Sequence, residues 1–206
     1  MTAAESKSLF EYDSAVRNDY PVICGIDEAG RGPLAGNVYA AAVIFDRDVF
    51  IEGLNDSKNL SEKNREQLYD EIIAKAKAYC VATASVEEID RVNILQATFL
   101  AMKRAYDGLG MSADIALIDG NRLPVLDCKM QTVVKGDSLS ASIAAASVLA
   151  KVSRDRYMKQ LAEEYPQYLF EKHKGYGTKL HTELILEHGA SPVHRKSFLK
   201  KLLKDG

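Results

Sequence analysis

Short apolar runs alternate with longer amphipathic stretches along this chain. Five runs rich in β-branched and apolar residues, each bounded by turn residues, predict strands at 21–27, 37–45, 80–86, 114–119 and 130–135. A brief glycine- and proline-bearing turn joins the first two, which predicts antiparallel neighbours. Before the third strand, Ser61 is placed to cap a helix with Leu68, Ile72, Ile73 and Ala76 on one face. After it, Ser85 and Glu88 have capping-box spacing, and a second helix runs toward Gly108 and Gly110. Its stripe of Ile94, Leu95, Phe99 and Met102 is expected to face the core. A third long helix, SLSASIAAASVLAKVSRDRYMKQLAEEY, closes at Pro166. Its small-residue face (Ala141, Ala144, Ala145, Ser147) predicts close backbone packing against the sheet. Residues 1–20 read as a short polar helix or a loose arm, and 167–206 as the loop HKGYGTK with two short helices around HGASP.

This order predicts an α/β fold with a mixed five-stranded sheet flanked by helices. The expected organisation is a main body at 1–165, with 1–20 as its N-terminal arm, and a basic helical appendage at 166–206 packed on it. With 206 residues and 47% hydrophobic content, one well-packed domain is within reach. No repeat, low-complexity tract or linker interrupts it.

Charge adds an asymmetry that the net value of −2 conceals. From Lys172 onward, Lys172, Lys174, Lys179, Arg195, Lys196, Lys200, Lys201 and Lys204 face only Glu183, Glu187 and Asp205, so this segment is near +5 and the preceding chain near −7. The split fits either an anionic partner for one face or a solvated helical surface. Cys24, Cys80 and Cys128 show no CxxC or zinc spacing, and the first and second lie in strand runs, so reduced, buried thiols are expected. The N-terminus has acids early and no apolar signal core, and VYAAAVIF is too short to span a bilayer, so a cytoplasmic protein is expected.

The chemistry-bearing pattern is that three strand runs end on acids: Asp27 and Glu28, then Asp119, then Asp137. Four carboxylates with no balancing lysine or arginine in their own motifs are costly unless a cation sits among them, and hard oxygen donors favour Mg²⁺ or Mn²⁺. Taken singly, each acid also suits a turn or helix cap, Asp137 especially. Gly30, Gly32 and Gly36 do not form a dinucleotide cradle, because Pro33 and a second strand follow where a helix N-terminus is required. These glycines instead let the backbone approach a ligand closely and present Arg31 to phosphate or sugar. Of the four histidines, His181 and His188 share a helical face and His194 follows Pro192. Structural or phosphate-contacting roles suit them better than metal ligation. The SRD segment (Ser153, Arg154, Asp155) reads as a helix-surface or packing network.

At DEAGRGPLAG the sequence resembles bacterial ribonuclease HII, the type 2 ribonuclease H. The resemblance runs from Val22 to Phe198 through NDSK, LIDG, VKGD, SIAAASVLAKVSRD, GYGT and the His194, Arg195, Ser197, Phe198 group. It implies a ribonuclease H-like fold with a C-terminal helical segment. It also implies cleavage of RNA in RNA–DNA hybrids and nicking 5′ of single ribonucleotides in duplex DNA, as in ribonucleotide excision repair. Asp27, Glu28, Asp119 and Asp137 then correspond to the catalytic acids that hold two Mn²⁺ or Mg²⁺ ions. Gly30, Arg31 and Gly32 correspond to a loop that inspects the ribose 2′-OH, and Tyr176 to a tyrosine packed on the sugar, with Lys58 assisting at phosphate. A monomer acting on nucleic acid is expected. A polynucleotidyl transferase of the same fold and a non-catalytic nucleic-acid binding module are the rivals, and the full acid set with DEAGRG and GYGT weighs against both.

Overall fold

The computed structural model describes residues 3–55, 57–200 and 202. Asp56 of the NDSK stretch and Lys201, Lys204 and Asp205 of the basic tail lie outside them. Strands β1 (Ile23–Ala29), β2 (Val38–Ile44), β3 (Ala78–Ala84), β4 (Ile115–Asp119) and β5 (Lys129–Val133) form one sheet in the order β3-β2-β1-β4-β5. As the turn between them predicts, β1 and β2 are antiparallel, and so are β2 and β3. β4 and β5 run parallel to β1, which makes the sheet mixed.

Helix α2 (Glu62–Lys75) is capped by Ser61, whose side chain accepts from the Asn64 N–H. Helix α3 (Val86–Asp107) opens with the expected capping box: Ser85 accepts from the Glu88 N–H, and Glu88 accepts from the Ser85 N–H. The predicted stripe on α3 holds in part: Met102 is in the core and Ile94 and Phe99 pack against it, while Leu95 sits beside Glu28. Asn93 takes φ 68° and ψ 166° and breaks the helix just before the stripe begins. The buried face after the break is Ala97, Thr98, Ala101, Met102, Ala105 and Tyr106; Ile94, Leu95 and Phe99 are only half-buried.

Helix α4 (Ala141–Glu164) carries most of the packing on the other face. Its N-cap is Ser140, whose side chain accepts from the Ile143 N–H. Asp137 instead sits in a short 3₁₀ turn at Gly136–Ser138. The small-residue face is buried against the sheet as predicted. At Gly25 of β1, a Cβ would lie 2.1 Å from the Ser142 carbonyl carbon and 2.3 Å from the Ile143 nitrogen. No larger residue leaves room for that approach.

Residues 3–20 are no loose arm. Helix α1 (Ala3–Val16) buries Leu9 and Phe10 beside Ala41, Val43 and α4. Its Asp13 is buried and accepts from the Ser140 and Ser142 hydroxyls and the Ser142 N–H, tying α1 to the start of α4. Past Pro166, helices α5 (Phe170–His173), α6 (Lys179–His188) and α7 (Lys196–Leu199) bury Phe170, Ile185 and Leu199 against Ala35, Met158 and Leu161. Cys24 is buried, while Cys80 is only half-buried; with Cys128, both are free thiols. Among the described residues no helix is long and apolar enough to cross a membrane.

Candidate active site

The parallel half of the sheet explains why the acids meet. Ile26 of β1 pairs with Ile118 of β4, so Asp27 and Asp119 follow side by side, and Asp119 pairs with Val133 of β5, the strand that leads into Asp137. Strand alternation then sorts the acids by face. Asp27 and Asp119 share the α4 face with Ile23, Gly25 and Leu117, whereas Glu28 turns toward Leu95, Thr98 and Phe99 of α3. Asp27, Asp119 and Asp137 each offer one oxygen within 4.8 Å of the others. Glu28 stands beside this trio rather than inside it and forms an ion pair with Arg31 at 3.3 Å.

Burial is the largest cause raising the Asp27, Glu28 and Asp119 carboxyls above their ordinary range. Glu28 and Asp119 raise Asp27 further, and Asp137 does the same to Asp119; Arg31 works against the shift at Glu28. The Glu28 N–H donates to Asp27 Oδ1 at 2.7 Å, and the Gly136 N–H to Asp119 Oδ1 at 2.7 Å. Close, buried, all-oxygen donors whose mutual repulsion is relieved by positive charge suit a hard divalent cation. The expectation of a cluster with no balancing cation is corrected in part. Lys58 Nζ lies 3.2 Å from Asp137, although its side chain is 74% exposed, and Arg31 flanks Glu28.

A cavity of about 230 Å³ opens beside the trio. Asp27, Glu28 and Asp119 line it together with Gly30, Arg31, Gly32, Lys58 and Tyr176. Asp137 does not line it and is joined to it through Asp119. The loop after β1 reaches its position by two buried guanidinium groups. Arg195 donates to the carbonyls of Gly30, Arg31, Pro33 and Gly36, and Arg154 to those of Ala35 and Lys174. Gly30 has φ +95°, and a Cβ there would lie 2.1 Å from Arg154 Nε. The turn therefore needs glycine both for its conformation and for the arginine beneath it. The Arg154 guanidinium lies 5.8 Å from the Tyr176 ring centroid.

The family model for ribonuclease HII matches residues 24–201, nearly the whole span that holds these motifs. The chain belongs to the ribonuclease HII family. It is 54% identical over 199 residues to the ribonuclease HII of Caldicellulosiruptor saccharolyticus, covering 96% of this chain and 97% of that protein. To the ribonuclease HII of Albidiferax ferrireducens it is 59% identical over 177 residues, 86% of each chain. The crystal structure of ribonuclease H2 from Pyrococcus horikoshii shares the fold, with a TM-score of 0.73 at 24% identity over 89% of this chain and 98% of that one. As a ribonuclease HII family member, the chain is a metal-dependent endoribonuclease.

Several residues at this candidate site are not singled out by a reading of the sequence. Ser57, Ser147 and Lys151 also line the cavity, and the Ser57 and Ser147 hydroxyls are 2.8 Å apart. Ser57 was in view inside NDSK, and Ser147 on a face assigned to packing alone. Lys151 pairs with Asp155 at 2.6 Å, so the SRD segment is a packing network and not a helix surface. Arg195 was counted among cations facing an anionic partner. The structure corrects this: it is fully buried, and its charge is spent on loop carbonyls.

Proposed function

We propose that this endoribonuclease, acting as a cytoplasmic monomer, cleaves the RNA strand of RNA–DNA hybrids and nicks 5′ of single ribonucleotides in duplex DNA. The observation that carries the proposal is one cavity in which Asp27, Glu28 and Asp119 meet the Gly30–Arg31–Gly32 loop and Tyr176, with Asp137 within reach of Asp27 and Asp119 beside it. Asp27, Asp119 and Asp137 are assigned to hold Mg²⁺ or Mn²⁺, with Glu28 completing the set at its edge. Two such ions, when bound, supply a hydroxide at neutral pH and stabilise the leaving oxygen. The chain's own groups orient the substrate. The 2′-OH distinguishes RNA from DNA, and the backbone of the glycine loop and the Tyr176 hydroxyl are suited to read it. Arg31 and Lys58 are assigned to the flanking phosphates, and exposed lysines after Pro166 to the duplex backbone beyond them.

The test is cleavage of a duplex carrying one ribonucleotide, a long RNA–DNA hybrid and an all-DNA duplex, each with Mg²⁺, Mn²⁺ or EDTA. Cuts at the ribonucleotide and in the hybrid that need metal, with the all-DNA duplex intact, support the proposal. Equal cleavage of the all-DNA duplex, or strand joining in place of hydrolysis, overturns it.

A further inference from the structure

Three of the four histidines are buried together behind the Tyr176 loop. His173 and His181 stack with ring centroids 4.2 Å apart, and His181 Nε2 lies 3.1 Å from His194 Nε2. The hydrogen bonds assign every tautomer. The Ser191 N–H donates to His194 Nδ1 at 3.0 Å, so His194 carries its proton on Nε2 and donates to His181 Nε2. His181 must then carry its proton on Nδ1, 2.9 Å from the Tyr176 carbonyl, which accepts it. His173 accepts from the Gly175 N–H at Nδ1 and donates from Nε2 to the Tyr168 carbonyl. The peptide unit after the Tyr176 Cα is thus tied to the His181 imidazole, and the Tyr176 N–H before it donates to the His173 carbonyl at 2.9 Å, while the ring itself is 44% exposed at the cavity. Thr178 N–H shares the Tyr176 carbonyl at 2.8 Å, so this carbonyl has two donors.

We infer that His181, with its tautomer fixed by His194, is a positioning residue for ribonucleotide selection: its Nδ1–H holds the backbone from which Tyr176 meets the sugar. The inference rests on the reading of Tyr176 as the sugar-packing residue. A neutral imidazole suits the task because it accepts at one edge and donates at the other, passing a fixed direction from Ser191 to Tyr176. Burial depresses both His181 and His194 to about 4, which keeps them neutral at assay pH.

Two measurements test it. In the wild-type protein at pH 7, imidazole ¹⁵N spectra should show His181 protonated at Nδ1 and His194 at Nε2. A His181 protonated at Nε2, or on both nitrogens, overturns the inference without any variant. The second is the ratio of kcat/KM on a single embedded ribonucleotide to that on a long hybrid. His181→Phe, which keeps a ring and loses both hydrogen bonds, should lower this ratio about three- to tenfold. His181→Asn, which can again donate to the Tyr176 carbonyl, should restore it to within about twofold. Tyr176→Ala serves as the reference and should lower the ratio at least as far. If Tyr176→Ala moves the ratio and His181→Phe lowers both substrates equally, the histidines are only core and the inference fails alone. If neither variant moves it, the reading of Tyr176 fails as well.

Discussion

Asp27 and Asp119 are neighbours because two isoleucines before them pair across adjacent parallel strands, and their separation is set by sheet geometry, not by attraction. Both carboxyls are pushed up, chiefly by burial. Replacing Asp119 by Asn keeps the shape and removes one negative charge. Cleavage should fall by more than about a hundredfold, while thermal stability in EDTA should rise. Adding Mg²⁺ or Mn²⁺ should raise the wild-type Tm through preferential binding to the folded state, and that rise should shrink in the variant. Paired melts with and without metal, beside a cleavage assay, check both halves; near-normal cleavage by Asp119→Asn would sink the assigned metal site. The acids themselves were legible because each ends an apolar run. That Glu28 turns away from the trio was not singled out, although strand alternation already implies it for any residue next to Asp27.

Helix starts were the most legible elements, since Ser61 and Ser85 act through local backbone geometry that the sequence states directly. The α3 stripe was only partly right because a count of large apolar residues favours Ile94, Leu95 and Phe99 over the small Ala97, Ala101 and Ala105, which take the fully buried face. The arginines beneath the glycine loop were least legible. Arg154 lies in a long polar turn of α4, and Arg195 arrives from more than 150 positions away in the chain to meet Gly30 and Gly36. No local pattern encodes such a pairing. The closest element contact yields a direct test at Gly25. A Cβ there meets the α4 backbone, which cannot rotate aside, so Gly25→Ala should destabilise by at least the roughly 1–3 kcal/mol typical of overpacking. Urea denaturation measures it. A loss below about 0.5 kcal/mol would mean that α4 can slide on β1.

Across the whole molecule, two titrations oppose each other. Burial lowers His181 and His194 to about 4, below their ordinary value of about 6.5. Between those values the unfolded chain takes up protons that the folded one refuses, so this contribution is complete above about pH 6.5 and is lost as pH falls toward 4. Asp27, Glu28 and Asp119 are shifted the other way: the folded state protonates them more readily, and their repulsion eases on acidification. The urea midpoint of wild type, compared with a His181→Asn/His194→Gln double variant from pH 7 to pH 4, separates the two; the variant should lose less stability over that window. Charge on the outer surface is a separate matter. With Arg195 withdrawn to the interior, Lys172 and Lys174 become the first cations to test against a duplex. Neutralising both should lower the slope of log affinity against log salt by about one unit per lost phosphate contact, whatever the sequence. An unchanged slope places the phosphate contacts elsewhere.

Arg195 also gives the molecule a direction in time. A ribosome makes this chain from residue 1, so the acids at 27 and 28 and their glycine loop emerge long before the guanidinium that fastens the loop. Until residue 195 leaves the exit tunnel, the carbonyls of Gly30, Arg31, Pro33 and Gly36 lack that anchor. A nascent chain near its own messenger RNA therefore carries its acids without a finished glycine loop, and a product interrupted before residue 195 is left in the same condition.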